Sequence, residues 1–258
     1  MNDINIHPSA VIEEGAQIGA SCKIGPFCVV GPGDGGEEVD AVGYKRPQAD
    51  KVSQQTSGPM ARITEPGPRA RALAIALAAF PRRPTWPRVP ACDESAVVLH
   101  DNVELKSHVV ITGQTEIGSG SVVFSFAVLG EIPQDKKFGG EKTKLIIGER
   151  NRIREHVTMN PGTEGGGSVT RIGNDGLFMA GCHVAHDAQI GNNVILVNSA
   201  AVAGHCVLED NVIIGGLSGL HQFVRIGQGA IVGAVTMVTN DVIPYGLVQA
   251  PRGELDGL

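Results

Sequence analysis

The stretch VAHDAQIGNNVILVNSAAVAGHCVLEDNVIIG (184–215) has an aliphatic residue at every sixth position: Val184, Ile190, Leu196, Val202, Leu208 and Ile214. Neither the helical period of 3.6 nor strict alternation gives a period of six. Short strands separated by turns, each with one aliphatic side chain pointing inward, do give it. Working outward, the run holds without a break from Ile172 and Phe178 through Leu220, Ile226 and Val232 to Val238. It recurs in other phases at Ile6, Ile12, Ile18, Ile24 and Val30, at Leu99, Leu105, Ile111, Ile117, Val123 and Leu129, and at Ile147, Ile153 and Met159. In the first of these blocks a small residue follows four positions later: Ala10, Ala16, Cys22 and Cys28. The pattern predicts an all-β chain wound as a parallel β-helix, with three hexapeptides to each triangular coil. Residues i and i+18 then stack on neighbouring rungs at about 4.8 Å. The 26 repeat positions make between eight and nine coils.

Composition agrees with this. Of 258 residues 35 are glycine and only 4% are aromatic, as suits many tight turns around a narrow core of Val, Ile and Leu. The net charge of −6 argues against a nucleic-acid partner, which would need a concentrated Lys/Arg surface. The N-terminus MNDINIHPSAVIEEG has neither a basic nor an apolar signal region, and the most apolar run, LAIALAAF (73–80), is far short of the ~20 residues that span a bilayer. A cytoplasmic protein without a membrane span is expected. The five cysteines show no CxxC spacing, and Cys22, Cys28, Cys182 and Cys206 fall on small-residue positions of the repeat, where reduced core thiols are expected.

Three segments interrupt the register. GEIPQDKKFGGEKTK (130–144) and NPGTEGGGSVTR (160–171) are expected to leave the prism as loops, which commonly carry function. The third, 33–95, holds eight of the fifteen prolines and the only tryptophan. It reads as an irregular insertion between β-helix segments 1–32 and 96–258, with one short helix in RARALAIALAAF between Pro68 and Pro81.

Register arithmetic groups the polar residues. His186 plus 18 is Gly204 and plus 36 is Gln222, so the three lie along one edge, with His205 and His221 flanking them and His183 just ahead. Two chemistries and one plain reading fit this edge. His186 can act as a general base held by Asp187, with the Gly204 amide stabilising an oxyanion in acyl transfer. His183, His186 and His205 can instead ligate a divalent metal, as in hexapeptide carbonic anhydrases. Or the edge is polar only because turns face water. In RNRIRE, alternation puts Arg150, Arg152 and Arg154 on one strand face, either a patch for an acidic partner or a solvated surface.

The motifs IGPFCVVGP (24–32), VELKSHVVITGQTEIG (103–118), PQDKKFGGEKT (133–143), RNRIREHVTMNPGTEGGGSVTRIG (150–173), HVAHDAQIGNNVILVNSA (183–200) and GGLSGLHQFVRIG (215–227) resemble the acyl-carrier-protein:UDP-N-acetylglucosamine O-acyltransferase family of lipid A synthesis. The resemblance covers about 1–32 and 96–258. It implies a left-handed coil, a homotrimer with sites between subunits and no cofactor or metal. It also implies transfer of an (R)-3-hydroxyacyl chain from acyl carrier protein to the sugar 3-hydroxyl of UDP-N-acetylglucosamine. His186 would be the general base, Asp187 its support and the Gly204 amide the oxyanion donor. Asp135, His205 and Gln222 would hold the N-acetylglucosamine ring, with Lys137 contacting substrate, His183 near the diphosphate and His221 beside the sugar pocket. Ala234 would form the floor of the acyl groove. With sites between subunits, the 130–144 loop and the His186 edge are open to coming from different chains. The sequence departs from the family in the insertion, and in stopping at PYGLVQAPRGELDGL where the family continues into a C-terminal helical domain. That leaves a second expectation, a trimeric scaffold of impaired activity.

Overall fold

The computed structural model describes residues 4–31 and 97–250. The insertion and its expected helix lie outside the described residues. Strands β1 (Asn5–Ile6) to β27 (Leu247–Val248) follow one another in sequence, and all but three of them are two residues long. Each of the first 26 ends on one of the repeat aliphatics.

Every third strand pairs in parallel, giving three sheets of ten, nine and eight strands, here sheets I, II and III. Register follows the expected step of 18, as in Gln189 opposite Val207 and Ile195 opposite Ile213. The aliphatic of each strand points inward. Val184, Ile190, Leu196, Val202, Leu208 and Ile214 are all fully buried, at about 1.5–3 kcal/mol of burial each. Cys22, Cys28, Cys182 and Cys206 are free thiols inside this column, and burial pushes the Cys182 and Cys206 thiols up to about 11.

One four-residue turn makes nearly every corner. Where the turn is closed, the carbonyl of its first residue accepts from the N–H of its fourth, as in Ala16 N–H to Glu13 O (3.3 Å) and Ala200 N–H to Val197 O (3.0 Å). The third residue is left-handed, with φ near +60° even for non-glycine residues such as Asn193, Asp187 and Val235. This is the type II turn, whose second position suits proline. Pro26 and Pro244 occupy that second position.

All three interruptions leave from the corner between sheets II and III: after β5 (Val29–Val30) before β6 (Val98–Leu99), after β11 (Val128–Leu129) before β12 (Lys144–Ile147), and after β14 (Thr158–Met159) before β15 (Val169–Ile172). Two expectations need correction. The repeat has a further member at Val248 in β27, hidden because a shortened segment bridges Val242 to Ile226. And Arg150, Arg152 and Arg154 do not share a strand face. With strands of two residues, only Arg152 is in one, while Arg150 sits in a left-handed turn paired with Asp175 and Glu149, and Arg154 lies over the Phe124 ring at 4.6 Å.

Candidate active site

The II–III corner also carries the histidines. The turn after β17 (His183–Val184) places His186 second and Asp187 third, in left-handed backbone at φ 60°. One coil on, after β20 (Ala201–Val202), Gly204 and His205 hold the same places. Another coil on, after β23 (Gly219–Leu220), Gln222 and Phe223 do. The row drawn by register arithmetic is therefore a physical edge.

His186 was expected on an open edge. It is instead buried, 6% exposed, with the Gly204 backbone and the His205 ring of the next coil against its imidazole and the 160–168 loop from the coil below packed on the adjoining Asp187. Its Nδ1 is 2.8 Å from Asp187 Oδ2. An ionised carboxylate only accepts, so Nδ1 carries the proton and Nε2 is left with a lone pair. Asp187 is enclosed. Its Oδ1 accepts from the Thr163 N–H (2.9 Å), its Oδ2 from the Thr163 hydroxyl (2.6 Å), and its own N–H donates to Thr170 Oγ1 (2.7 Å). Burial pushes the Asp187 carboxyl up, but the hydrogen bonds from His186 and Thr163 outweigh it and hold the group below its usual range.

His205 stands edge-on to His186, ring centroids 5.0 Å apart, and stacks flat on Phe223 at 4.4 Å. Burial holds its imidazole below the ordinary value, partly offset by Asp187, whose Oδ2 is 3.7 Å from Nδ1. The charges of Asp135 and Lys137 act on His205 in opposite directions, Asp135 raising its imidazole and Lys137 lowering it. His183 bonds Thr158 Oγ1 (2.8 Å), and burial depresses it, with His186 adding to the effect. His221 and Gln222 are exposed at the far end of the row. Ala234, exposed in the turn between β25 (Ile231–Val232) and β26 (Met237–Val238), lies on the I–II corner, away from His186.

Gly204 fits its position for two reasons. A Cβ there would stand 2.6 Å from His186 Cε1 and 2.7 Å from Nε2, so only glycine lets the imidazole lie against the backbone. It also fills the turn position that proline takes elsewhere, whose N–H is not used by the coil. On the III–I corner the equivalent amides of Ala20, Glu149, Asn174, Asn192 and Gln228 each donate to a side-chain oxygen. Among the described residues the Gly204 amide donates to none.

The metal reading changes membership. The groups close enough to share an ion are His186, Asp187 and His205, without His183. Both Asp187 oxygens are already engaged by Thr163 and His186, an arrangement that orients an imidazole rather than one that waits for a cation.

Thr163, Thr170 and Phe223 were missing from the sequence reading. Phe223 was accessible by the step of 18 from Asp187 and His205, whereas the threonines lie in or beside a loop outside the repeat.

No protein-family model matches the chain. A curated protein from Paracoccus denitrificans, acyl-(acyl-carrier-protein)–UDP-N-acetylglucosamine O-acyltransferase, is 80% identical over 137 residues, 53% of this chain and 52% of that protein. One of the same name from Rhizobium johnstonii is 40% identical over 253 residues, 98% of this chain and 70% of that protein. The chain belongs to this O-acyltransferase family. It spans about half the length of the Paracoccus member and seven tenths of the Rhizobium one. Among solved structures, LpxA from Acinetobacter baumannii superposes with a TM-score of 0.68 at 30% identity over 95% of this chain and 71% of that one. The family's left-handed β-helix is the fold of this chain. Among the described residues no helix is long and apolar enough to cross a membrane.

Proposed function

We propose that the chain transfers an (R)-3-hydroxyacyl group from acyl carrier protein to the 3-hydroxyl of UDP-N-acetylglucosamine, the first step of lipid A synthesis, as a cytoplasmic enzyme without a metal or other cofactor. The supporting observation is the corner itself: a buried imidazole with its Nε2 lone pair free, its Nδ1 on a carboxylate, and an unpartnered amide one rung away.

In this reading His186 Nε2 takes the proton of the sugar 3-hydroxyl as its oxygen attacks the thioester carbonyl carbon. Asp187 stabilises the imidazolium and the Gly204 N–H receives the oxyanion. Collapse breaks the C–S bond, and His186 returns the proton to the departing thiolate. His183, His205, His221 and Gln222 lie along the edge where the sugar and diphosphate would bind, Asp135 and Lys137 would reach the sugar from the 130–144 loop, and Ala234 would limit the acyl chain.

The outward residues of the three faces support a homotrimer. Sheet I turns Leu177, Ile195, Ile213 and Ile231 outward, and sheet II turns Val11, Val29, Val110 and Val128 outward. The I–II corner exposes Phe27, Phe126, Leu217 and Val235. Sheet III presents Gln17, Glu116, Arg171 and Gln189. Three copies with the I–II corner on the axis would bury both apolar faces and set His186 beside a neighbour's sheet I. Light scattering on Leu217→Asp tests the assembly; an intact trimer would remove that corner from the axis. Acyl transfer measured with purified donor and acceptor tests the activity, and a fully active His186→Ala would sink the mechanism.

A further inference from the structure

We propose that Thr163 is the positioning residue of this edge: through two hydrogen bonds it holds the Asp187 carboxylate turned to His186 and away from His205. The inference deepens the general-base reading and rests on it for its kinetic consequences.

Asp187 Oδ2 is contested. His186 Nδ1 stands 2.8 Å from it and His205 Nδ1 3.7 Å, so a small rotation would redistribute the carboxylate between two imidazoles. Thr163 fixes that rotation by gripping each oxygen separately, N–H on Oδ1 and hydroxyl on Oδ2. Its residue type has an ordinary use that it forgoes. Thr163 precedes the one-turn 3-10 helix Glu164–Gly166 with extended backbone, where a threonine normally caps the helix through its hydroxyl. Here the hydroxyl makes no cap bond. It points at Asp187 instead. The loop is shaped for that approach, since a Cβ on Gly166 would collide with the Asp187 carboxyl and one on Gly162 with Ser168, Val169 and Asp187 Oδ1.

The charged and titratable groups facing the pair are His183 and His205 from neighbouring strands and turns, with Asp135 and Lys137 acting through His205. Thr163 is among the causes that hold Asp187 below the usual carboxylate range, and losing the hydroxyl removes support from the charged form. The Asp187 titration therefore moves up. Kinetically, kcat should fall while KM is unchanged, because Thr163 is buried with its hydroxyl turned to Asp187.

The experiment compares Thr163→Val, which keeps shape and backbone N–H, with Thr163→Ser, which keeps the hydroxyl. Thr163→Ala serves if the valine variant folds poorly by circular dichroism. For Thr163→Val the expected result is a loss of about tenfold in kcat at unchanged KM, as for one lost hydrogen bond to a charged group. The acid limb of kcat should also move to higher pH, and Thr163→Ser should restore both. Independently of activity, the carboxyl carbon resonance of Asp187 should titrate at higher pH in Thr163→Val and as wild type in Thr163→Ser. An unmoved Asp187 titration, or a serine variant as impaired as the valine one, overturns the positioning role. If the Asp187 titration moves as expected while His186→Ala stays active, the general-base reading falls and the hold of Thr163 on Asp187 stands.

Discussion

The II–III and III–I corners are built from the same turn and put it to different uses. On III–I the left-handed slot is filled by Ser21, Asp175 and Asn193 among others, and the amide before each of these three is capped by a carboxylate or amide oxygen from the adjoining coil. On II–III the slot holds Asp187, His205 and Phe223, the preceding amide is uncapped at Gly204, and a loop covers the edge. One corner spends its polar groups on itself. The other keeps a donor, a base and a carboxylate poised toward a shared space, so backbone geometry alone does not separate a structural corner from a chemical one. The side chains in the turn slots do.

The sharpest way to break this contrast is His186→Ala. Loss of a general base should lower kcat by about 10²–10⁴, with the β-sheet circular dichroism signal retained. Next, Gly204→Ala should cost on the order of 10² in kcat, since the added methyl forces the imidazole off the backbone and disturbs the oxyanion donor. Near wild-type turnover would show that the ring can shift freely. The matching change on the other corner is Asp210→Ala, which uncaps the Asn192 N–H (2.7 Å). It should lower stability by about 1 kcal/mol in urea unfolding and leave kcat per folded molecule unchanged. A large loss of activity there would dissolve the distinction between corners.

A smaller effect concerns pH. His183 and His205 both have folded values below the ordinary 6.5, so the unfolded chain binds more protons in that window. Stability is then full above 6.5 and declines as pH falls toward the folded values. Melting temperatures at pH 7.5 and 5.5 should differ less in His183→Gln than in wild type, and an equal drop would exclude His183 as a contributor. The smallest change is on the third corner. Ala234→Gly should shift donor preference toward longer 3-hydroxyacyl chains, read by competing thioesters of graded length, and identical profiles would detach Ala234 from the acyl groove.

The fold was legible because the inward aliphatic of each strand is a local signal repeated with a fixed step; it failed near Val242, where a shortened segment breaks the step, and at Lys144 and Val169–Arg171, which it put in loops although they begin β12 and β15. The same arithmetic put His186, Gly204 and Gln222 on one edge. It could not deliver Thr163, because the path of the 160–168 loop back over Asp187 is set by packing between coils and has no period. Nor could it foresee that His186 is buried, since that depends on how closely the Gly204 backbone and the His205 ring of the next coil pack on it. Alternation misled at Arg150, which needs a strand longer than two residues to apply.

Every change of chain length in the described coils, the shortening before Val242 included, is routed through one corner, and this makes the protein a natural display frame. Strand pairing links only adjacent coils, so a segment spliced between β11 and β12 would leave the stacking of sheets I and II untouched. A foreign peptide inserted there would be presented two coils below His186 on the same edge, at a height set by whole rungs of the lattice. For engineering, such an insertion site offers a fixed offset from a reactive edge, adjustable in steps of about 4.8 Å by choosing the coil.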